Sequence, residues 1–172
     1  PALGGCRFLD YPDDTAAIGD ASRLARSMSY KAALAGLPHG GGKMVVIKPR
    51  EPHHRQALFQ RLGSAIQHLG GRYITSHDVG TTARDMDAIA TRTSWVVGTT
   101  AERASPSPDT ALGVIEGIRA AVRQRLRRDQ LSGLRVAIQG LGSVGRELAS
   151  LLWQAGARLI VADTDADQTR WA

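Results

Sequence analysis

The chain has 172 residues, 42% of them hydrophobic and 5% aromatic, and its 22 lysines and arginines against 16 acidic residues give a formal net charge of +6. That composition fits a soluble α/β protein, and no apolar run approaches the ~20 residues of a membrane span. The basic excess sits in Arg119, Arg123, Arg125, Arg127 and Arg128, spaced as the wet side of a helix with no aromatics interleaved. It reads as a surface that attracts acidic small molecules, not as a nucleic-acid site.

The sequence opens on Pro1 without an initiator methionine and stops at Trp171-Ala172, just past a strand-like run, so it reads as a piece of a longer protein. The single Cys6 rules out an internal disulfide, fits a reducing cytoplasm and is expected to be a structural thiol. Pro1 to Leu9 reads as the end of a strand or a loop, with Gly4-Gly5 a turn. Asp13, Asp14 and Thr15 offer N-cap oxygens to a helix with Ile18, Ala21, Leu24, Ala25 and Met28 as its apolar stripe and Lys31 near its end. Next comes Pro38-His39-Gly40-Gly41-Gly42-Lys43, closed by the strand Met44 to Ile47. Three glycines are expected to permit positive φ and close approach to a ligand, setting the Lys43 amine at a concave spot.

After a polar break at Pro49 to Pro52, His54 to Leu69 predicts an amphipathic helix with Leu58, Leu62, Ala65, Ile66 and Leu69 inward, ended by Gly70-Gly71. His53, His54 and His68 read as surface histidines, and no spacing suggests a metal site. Arg72 to Ser76 predicts a short strand that delivers Asp78 onto the loop Val79-Gly80-Thr81, and Thr81-Thr82 caps a further helix. Trp95 to Gly98 is apolar, and Ala104 to Asp109, with two prolines, predicts an irregular domain boundary. The division expected is 1–104 and 105–172.

In the second part Thr110 starts a helix carrying Leu112, Ile115, Ile118, Val122 and Leu126. Arg135 to Gln139 then reads as a buried-type strand, followed at once by Gly140-Leu141-Gly142-Ser143-Val144-Gly145, a helix through Leu152, and a second strand, Leu159 to Ala162, ending in Asp163. A strand, glycine turn, helix and strand with an acidic residue about 20 residues on is the fingerprint of a dinucleotide-binding unit. Gly140 makes the tight turn, Gly142 admits the pyrophosphate and Gly145 allows close helix packing, with the helix N-terminus toward the phosphates. A carboxylate at Asp163 accepts from an adenosine ribose and repels a 2′-phosphate, favouring NAD over NADP; Arg158 and Arg170 are the cations that could reverse that preference.

Two lysines and an aspartate, each beside glycines or at an element's end, are what amino-acid oxidation requires. With the Gly-rich lysine, the Asp-Val-Gly-Thr loop and the nucleotide fingerprint in this order, the chain resembles the Glu/Leu/Phe/Val dehydrogenase family over essentially all its length. It looks most like the leucine dehydrogenases through Pro1-Ala2-Leu3-Gly4-Gly5-Cys6-Arg7, Ala35-Gly36-Leu37-Pro38, Gly40-Gly41-Gly42-Lys43, Leu69-Gly70-Gly71-Arg72-Tyr73-Ile74-Thr75 and Ser105-Pro106-Ser107-Pro108. The resemblance implies an α/β protein: an N-terminal α/β domain that binds the amino acid, then the first βαβ of a Rossmann NAD-binding domain, with the active site in the cleft between them.

It implies Lys43 as the base that activates water, Asp78 as the proton carrier to the amine nitrogen, and Lys31 as the partner of the substrate α-carboxylate. Leu3, Gly4, Gly5 and Met28 are the implied substrate contacts. Gly140, Gly142, Ser143, Val144, Gly145, Asp163 and Thr110 are the implied contacts of NAD. A lysine serves as a base only with its amine neutral, a state that a dry cleft and a second ammonium both favour. Where glutamate-specific members carry a lysine before the paired glycines, this chain has Leu3, so glutamate is disfavoured and leucine, valine and isoleucine are expected. His77 stands before Asp78, where leucine dehydrogenases commonly carry an acidic or small residue. The expected reaction yields a 2-oxo acid and ammonia, in a cytoplasmic homo-oligomer when full length, and the 172-residue piece alone is expected to be poorly active. Phenylalanine or glutamate specificity, or a truncated nucleotide-binding remnant without catalysis, are the alternatives.

Overall fold

The first strand, β1 (Ala2–Leu9), is the middle of a parallel four-stranded sheet and runs further than a strand end or loop. The structure is a computed structural model and describes residues 1–51, 53–102 and 107–170. The chain divides into two compact units, Pro1–Ala104 and Ser105–Ala172. Ala104 to Pro106 of the predicted boundary, Pro52 of the polar break, and Trp171-Ala172 lie outside the described residues.

In the first unit β1 pairs on one side with β2 (Gly40–Gly41) and then β3 (Met44–Ile47), and on the other with β4 (Tyr73–His77). The register sets Leu3 against Gly41, Cys6 against Met44 and Gly5 against Ser76. Strand alternation puts Gly4, Cys6 and Phe8 on the buried face and Leu3, Gly5 and Arg7 on the other. The buried face joins α2 (Arg55–His68) and α3 (Ala83–Ala90) in a core of Cys6, Phe8, Phe59, Ile66, Met86, Ile89 and Val96. In α2 the inward residues are Phe59, Gly63 and Ile66, while Ala65 and Leu69 of the predicted stripe are exposed. Gly63 is inward because a Cβ there would lie 2.6 Å from the Ile89 carbonyl oxygen, so α2 and α3 meet nearly backbone to backbone.

The helix α1 (Asp14–Leu34) starts as predicted, the Asp13 carboxylate accepting from the Ala16 N–H at 2.7 Å. Its predicted apolar stripe is corrected at Ile18, which is 66% exposed; Ala21, Leu24, Ala25 and Met28 are half-buried, and the fully buried residues are Ala17 and Ala32. The reason is the neighbour. A Cβ on Gly41 would sit 2.0 Å from the Ala25 carbonyl oxygen, so α1 rides directly on a glycine strand.

Asp85 fastens α3 to α2. Its Oδ2 accepts from the Thr82 N–H and hydroxyl at 2.8 and 2.9 Å, and Arg55 reaches both its oxygens at 2.7 and 2.8 Å while lying over the Phe8 and Phe59 rings. Burial pushes the Asp85 carboxyl up, but the Arg55 and Thr82 hydrogen bonds outweigh it and leave it below its ordinary value. A depressed folded value means that the stabilisation is complete above the unfolded carboxylate value and is lost as the pH falls through the folded one. Asp85→Ala is expected to cost about 2 kcal/mol at neutral pH. Denaturant titrations should show that difference narrowing only in strong acid; a constant difference down to full protonation would contradict this account of the pair.

In the second unit α4 (Ser107–Leu126) begins three residues ahead of the predicted start at Thr110. Pro108 lies in its first turn, where the missing N–H has no intrahelical partner to lose, so the expectation of irregular structure there is corrected. Ala111 and Ile115 face inward, whereas Leu112 and Leu126 are exposed along with the five arginines of the basic run. The strands β5 (Arg135–Gln139) and β6 (Arg158–Ala162) are parallel, joined through α5 (Ser143–Gln154), and a short α6 (Ala166–Thr169) follows. The core is Ile115, Leu131, Ile138, Leu141, Ala149, Leu152 and Ala157. β5 buries only Ile138, not the whole run, because the described helices cover one face of the pair. Among the described residues no helix is long and apolar enough to cross a membrane.

Candidate active site

Lys43 and Asp78, 35 positions apart, meet as an ion pair between Nζ and Oδ2. Lys43 precedes β3 and its side chain is 7% exposed, while Asp78 follows β4 and is a quarter exposed. The Asp78 loop is fixed by backbone chemistry: the Asp78 N–H donates to Thr81 Oγ1 at 2.8 Å, and the Phe8 N–H donates to the Val79 carbonyl at 3.0 Å. Gly80, at φ +81°, is required there, since a Cβ would lie 1.9 Å from the Phe8 carbonyl oxygen. Burial pushes the Asp78 carboxyl up, but hydrogen bonds from Lys43, the Val79 amide and Arg7 outweigh it and hold it below the usual carboxylate range.

The glycines work by absence of bulk. None of Gly40, Gly41 or Gly42 has a positive φ, which corrects the expectation of a left-handed turn. Gly40 and Gly41 form β2 instead; Gly41 admits α1, its N–H donating to Ser29 Oγ at 3.0 Å, and Gly42 admits the Tyr73 ring, whose carbon would be 2.7 Å from a Cβ. Gly4 lies against the Gly42 carbonyl, 1.6 Å from where its Cβ would be. Gly5 bears on the chemistry most directly: a Cβ there would meet Asp78 Cβ at 2.8 Å and Lys43 Nζ at 3.3 Å. It is the floor under the ion pair, and Gly4-Gly5 lies within β1, not in a turn.

Arg7, on the same strand face as Leu3 and Gly5, was not foreseen as a site residue. Its Nε lies 3.2 Å from Asp78 Oδ2 and its Nη1 2.9 Å from Asp20 Oδ2. The period-two pattern of β1 was the signal available, since it puts Arg7 on the face of Gly5. Asp20 also accepts from the Tyr11 hydroxyl at 2.7 Å and pairs with Arg23. The Tyr11 hydrogen bond, working against desolvation and helped by Arg23 and Arg7, holds the Asp20 carboxyl down to about 2. Lys31 is exposed in the last turn of α1, its carbonyl accepting from the Ala35 N–H at 3.1 Å, and among the described residues its side chain makes no hydrogen bond or ion pair, so it is not drawn into the Lys43–Asp78 pair. Leu3 and Met28 are half-buried. His77 ends β4 beside Gly98, and Cys6 is buried and free.

The second unit carries the glycine loop. Gly140 has φ +96°, and a Cβ on Gly145 would sit 2.0 Å from its carbonyl oxygen, so the turn and the close helix packing both need glycine. Gly142 caps α5 with nothing within 4 Å of its Cβ position, leaving open space beside the Ser143 and Val144 amides, which suits the approach of a pyrophosphate. Asp163 closes the loop, accepting from the Leu141 N–H at 2.5 Å and the Asp165 N–H at 2.9 Å. Those backbone amides hold its carboxyl below the ordinary value. Arg158 starts β6 at the end opposite Asp163, about 16 Å away along the strand. Arg170 pairs with Asp167 at 3.0 Å on the surface. Thr110 is exposed in α4. Among the described residues no group of His, Cys, Asp and Glu could hold a metal ion.

Over 170 residues the chain is 46% identical to leucine dehydrogenase from Thermoactinomyces intermedius, covering 97% of this chain and 46% of that protein. The crystal structure of L-tryptophan dehydrogenase from Nostoc punctiforme matches with a TM-score of 0.71 at 40% identity, covering 99% of this chain and 48% of that one. Hetero-hexameric glutamate dehydrogenase from Thermus thermophilus, in its Leu bound form, matches with a TM-score of 0.80 at 27% identity, covering 95% and 42%. The chain thus spans nearly half the length of these relatives, 46% of the first. The family model for the Glu/Leu/Phe/Val dehydrogenase dimerisation domain matches residues 1–95, and the chain belongs to the Glu/Leu/Phe/Val dehydrogenase family.

Proposed function

We propose that the full-length protein oxidatively deaminates a branched-chain L-amino acid, leucine foremost and also valine and isoleucine, to the 2-oxo acid and ammonia. The observation that carries this reading is the buried Lys43 paired with Asp78 over the Gly5 floor. Gly140, Gly142, Ser143, Val144 and Gly145, with Thr110 and Asp163, would hold NAD, which when bound would supply the acceptor for the hydride lost from the substrate α-carbon. Lys31 holds the α-carboxylate as a charged donor. Loss of hydride leaves an imino acid, and Lys43 takes a proton from the water that adds to its carbon. Asp78 takes a proton from the substrate ammonium before the hydride leaves and returns it to the amine nitrogen of the water adduct, so that ammonia departs and the adduct's hydroxyl proton passes back to Asp78 as the carbonyl forms. Leu3, Gly4, Gly5 and Met28 line the substrate side; at Leu3 a glutamate side-chain carboxylate would be buried without a partner, a cost of about several kcal/mol.

In this proposal residues 1–104 are the substrate domain, partial, and residues 105–172 the start of a Rossmann domain for NAD. The free Cys6 supports a cytoplasmic setting, and the dimerisation-domain match supports a homo-oligomer. An aromatic substrate is the second reading, favoured by the 40% identity to L-tryptophan dehydrogenase.

The test is NADH formation by the full-length gene product with leucine, valine, isoleucine, phenylalanine, tryptophan and glutamate. Leucine is expected to give the highest kcat/KM and glutamate the lowest; tryptophan leading would favour the second reading. Binding of NAD without reduction by any amino acid would leave only a nucleotide-binding remnant.

Preference for NAD rests on Asp163, with Arg158 at the far end of its strand and Arg170 engaged by Asp167. Asp163→Ala is expected to weaken NAD about tenfold, one lost charge-assisted hydrogen bond, and to raise the NADP-to-NAD affinity ratio. Fluorescence titration with both cofactors measures this, and an unchanged ratio contradicts the assignment.

A further inference from the structure

Turnover poses a problem for the Lys43–Asp78 pair. If Lys43 takes a proton from water, its amine has to leave Asp78 for the substrate, and a carboxylate in a partly dry site then loses its partner at the moment it must act. Arg7 answers both needs. Its guanidinium is permanently charged and forked, so Nε reaches Asp78 Oδ2 while Nη1 reaches Asp20 Oδ2 on α1. Asp20 is itself held by Tyr11 and Arg23, which makes it a fixed anchor. Both side-chain cations fall on the same oxygen of Asp78, Oδ2, so Oδ1 carries neither.

We propose that Arg7 is a positioning residue for proton transfer: braced by Asp20, it keeps Asp78 in place and charge-balanced when Lys43 turns to the substrate, with Oδ1 offered to the reacting amine. This rests on the reading of Lys43 as base and Asp78 as proton carrier. The other titratable groups around Asp78 do not substitute for Arg7. Cys6 on β1 and Tyr73 on β4 are both pushed up by burial, the thiol to about 12, and neither carries positive charge. His77 is the neighbour of Asp78 on β4 and makes no ion pair among the described residues.

The test measures kcat and KM for leucine against pH in the full-length gene product carrying Arg7→Gln, Arg7→Lys or Asp20→Asn. Arg7→Gln is expected to lower kcat roughly 100-fold with little change in KM. It should also raise the acid limb of the kcat profile by about one pH unit, because a cation that favoured the ionised Asp78 carboxylate has gone. Arg7→Lys restores the limb, since the charge returns, but leaves kcat roughly tenfold low, because a single nitrogen lacks the planar fork with which Nε and Nη1 reach the two carboxylates. Asp20→Asn lowers kcat in the same direction with the limb unmoved. A merely structural Arg7 would lower the folded fraction without moving the limb. If Arg7→Gln does not fold, as judged by circular dichroism, the Lys and Asn variants decide. Wild-type kcat and limb in both of these overturn the proposal while the parent reading stands. A wild-type protein that oxidises no amino acid brings down both.

Discussion

Replacing Lys43 by alanine is expected to lower kcat for leucine roughly 1000-fold in the full-length gene product, with NAD affinity nearly unchanged. The two effects separate because Lys43 belongs to the first unit and the glycine loop to the second. The variant should still fold. Asp78 keeps its Arg7 partner at 3.2 Å and its loop keeps the Thr81 and Phe8 backbone bonds, so removing Lys43 does not strand a buried carboxylate. Steady-state kinetics together with NAD titration by fluorescence measure the split. Equal losses of turnover and NAD affinity would mean that Lys43 serves the fold and not the chemistry.

Gly5→Ala is expected to cost roughly 100-fold in kcat, through displacement of reacting groups by less than the width of an atom. The new methyl would stand 2.8 Å from Asp78 Cβ and 3.3 Å from Lys43 Nζ, so the ion pair has to shift. Gly40→Ala is the matched comparison: nothing lies within 4 Å of its Cβ and its φ is not positive, so its kcat should stay at the wild-type level. Parallel kinetics on the two variants, with circular dichroism to establish that both fold, measure the contrast. Comparable losses in both would show that the glycines act as a group and that Gly5 has no special place.

Much of this site was legible in the sequence because its signals are local. A lysine closing a glycine run before a strand, an aspartate leaving a short strand, and a glycine fingerprint between two strands each depend on neighbours in the chain. What glycine was needed for could not be read that way. Gly140 needs its positive φ, whereas Gly41 needs the room that α1 occupies, and the same letter serves both. Helix faces were legible in part. Ile115 is buried as its spacing predicts, whereas Ile18 and Leu112 keep helical spacing yet are exposed, and Ala17, Ala32 and Ala111 are buried without having been part of the stripe. Arg7 is not legible as a site residue while β1 reads as a strand end or loop; as a full central strand its alternation links Gly5 to Arg7, and Arg7 to a carboxylate 71 residues away.

The most direct test is a crystal structure of the full-length gene product with the 2-oxo acid of leucine bound. The ligand carboxylate is expected on Lys31 Nζ, the carbonyl carbon beside Lys43 and Asp78, and the isobutyl group against Leu3. A ligand bound away from Lys43 and Asp78, or one whose carboxylate is gripped by another residue while Lys31 stays in solvent, would contradict that arrangement.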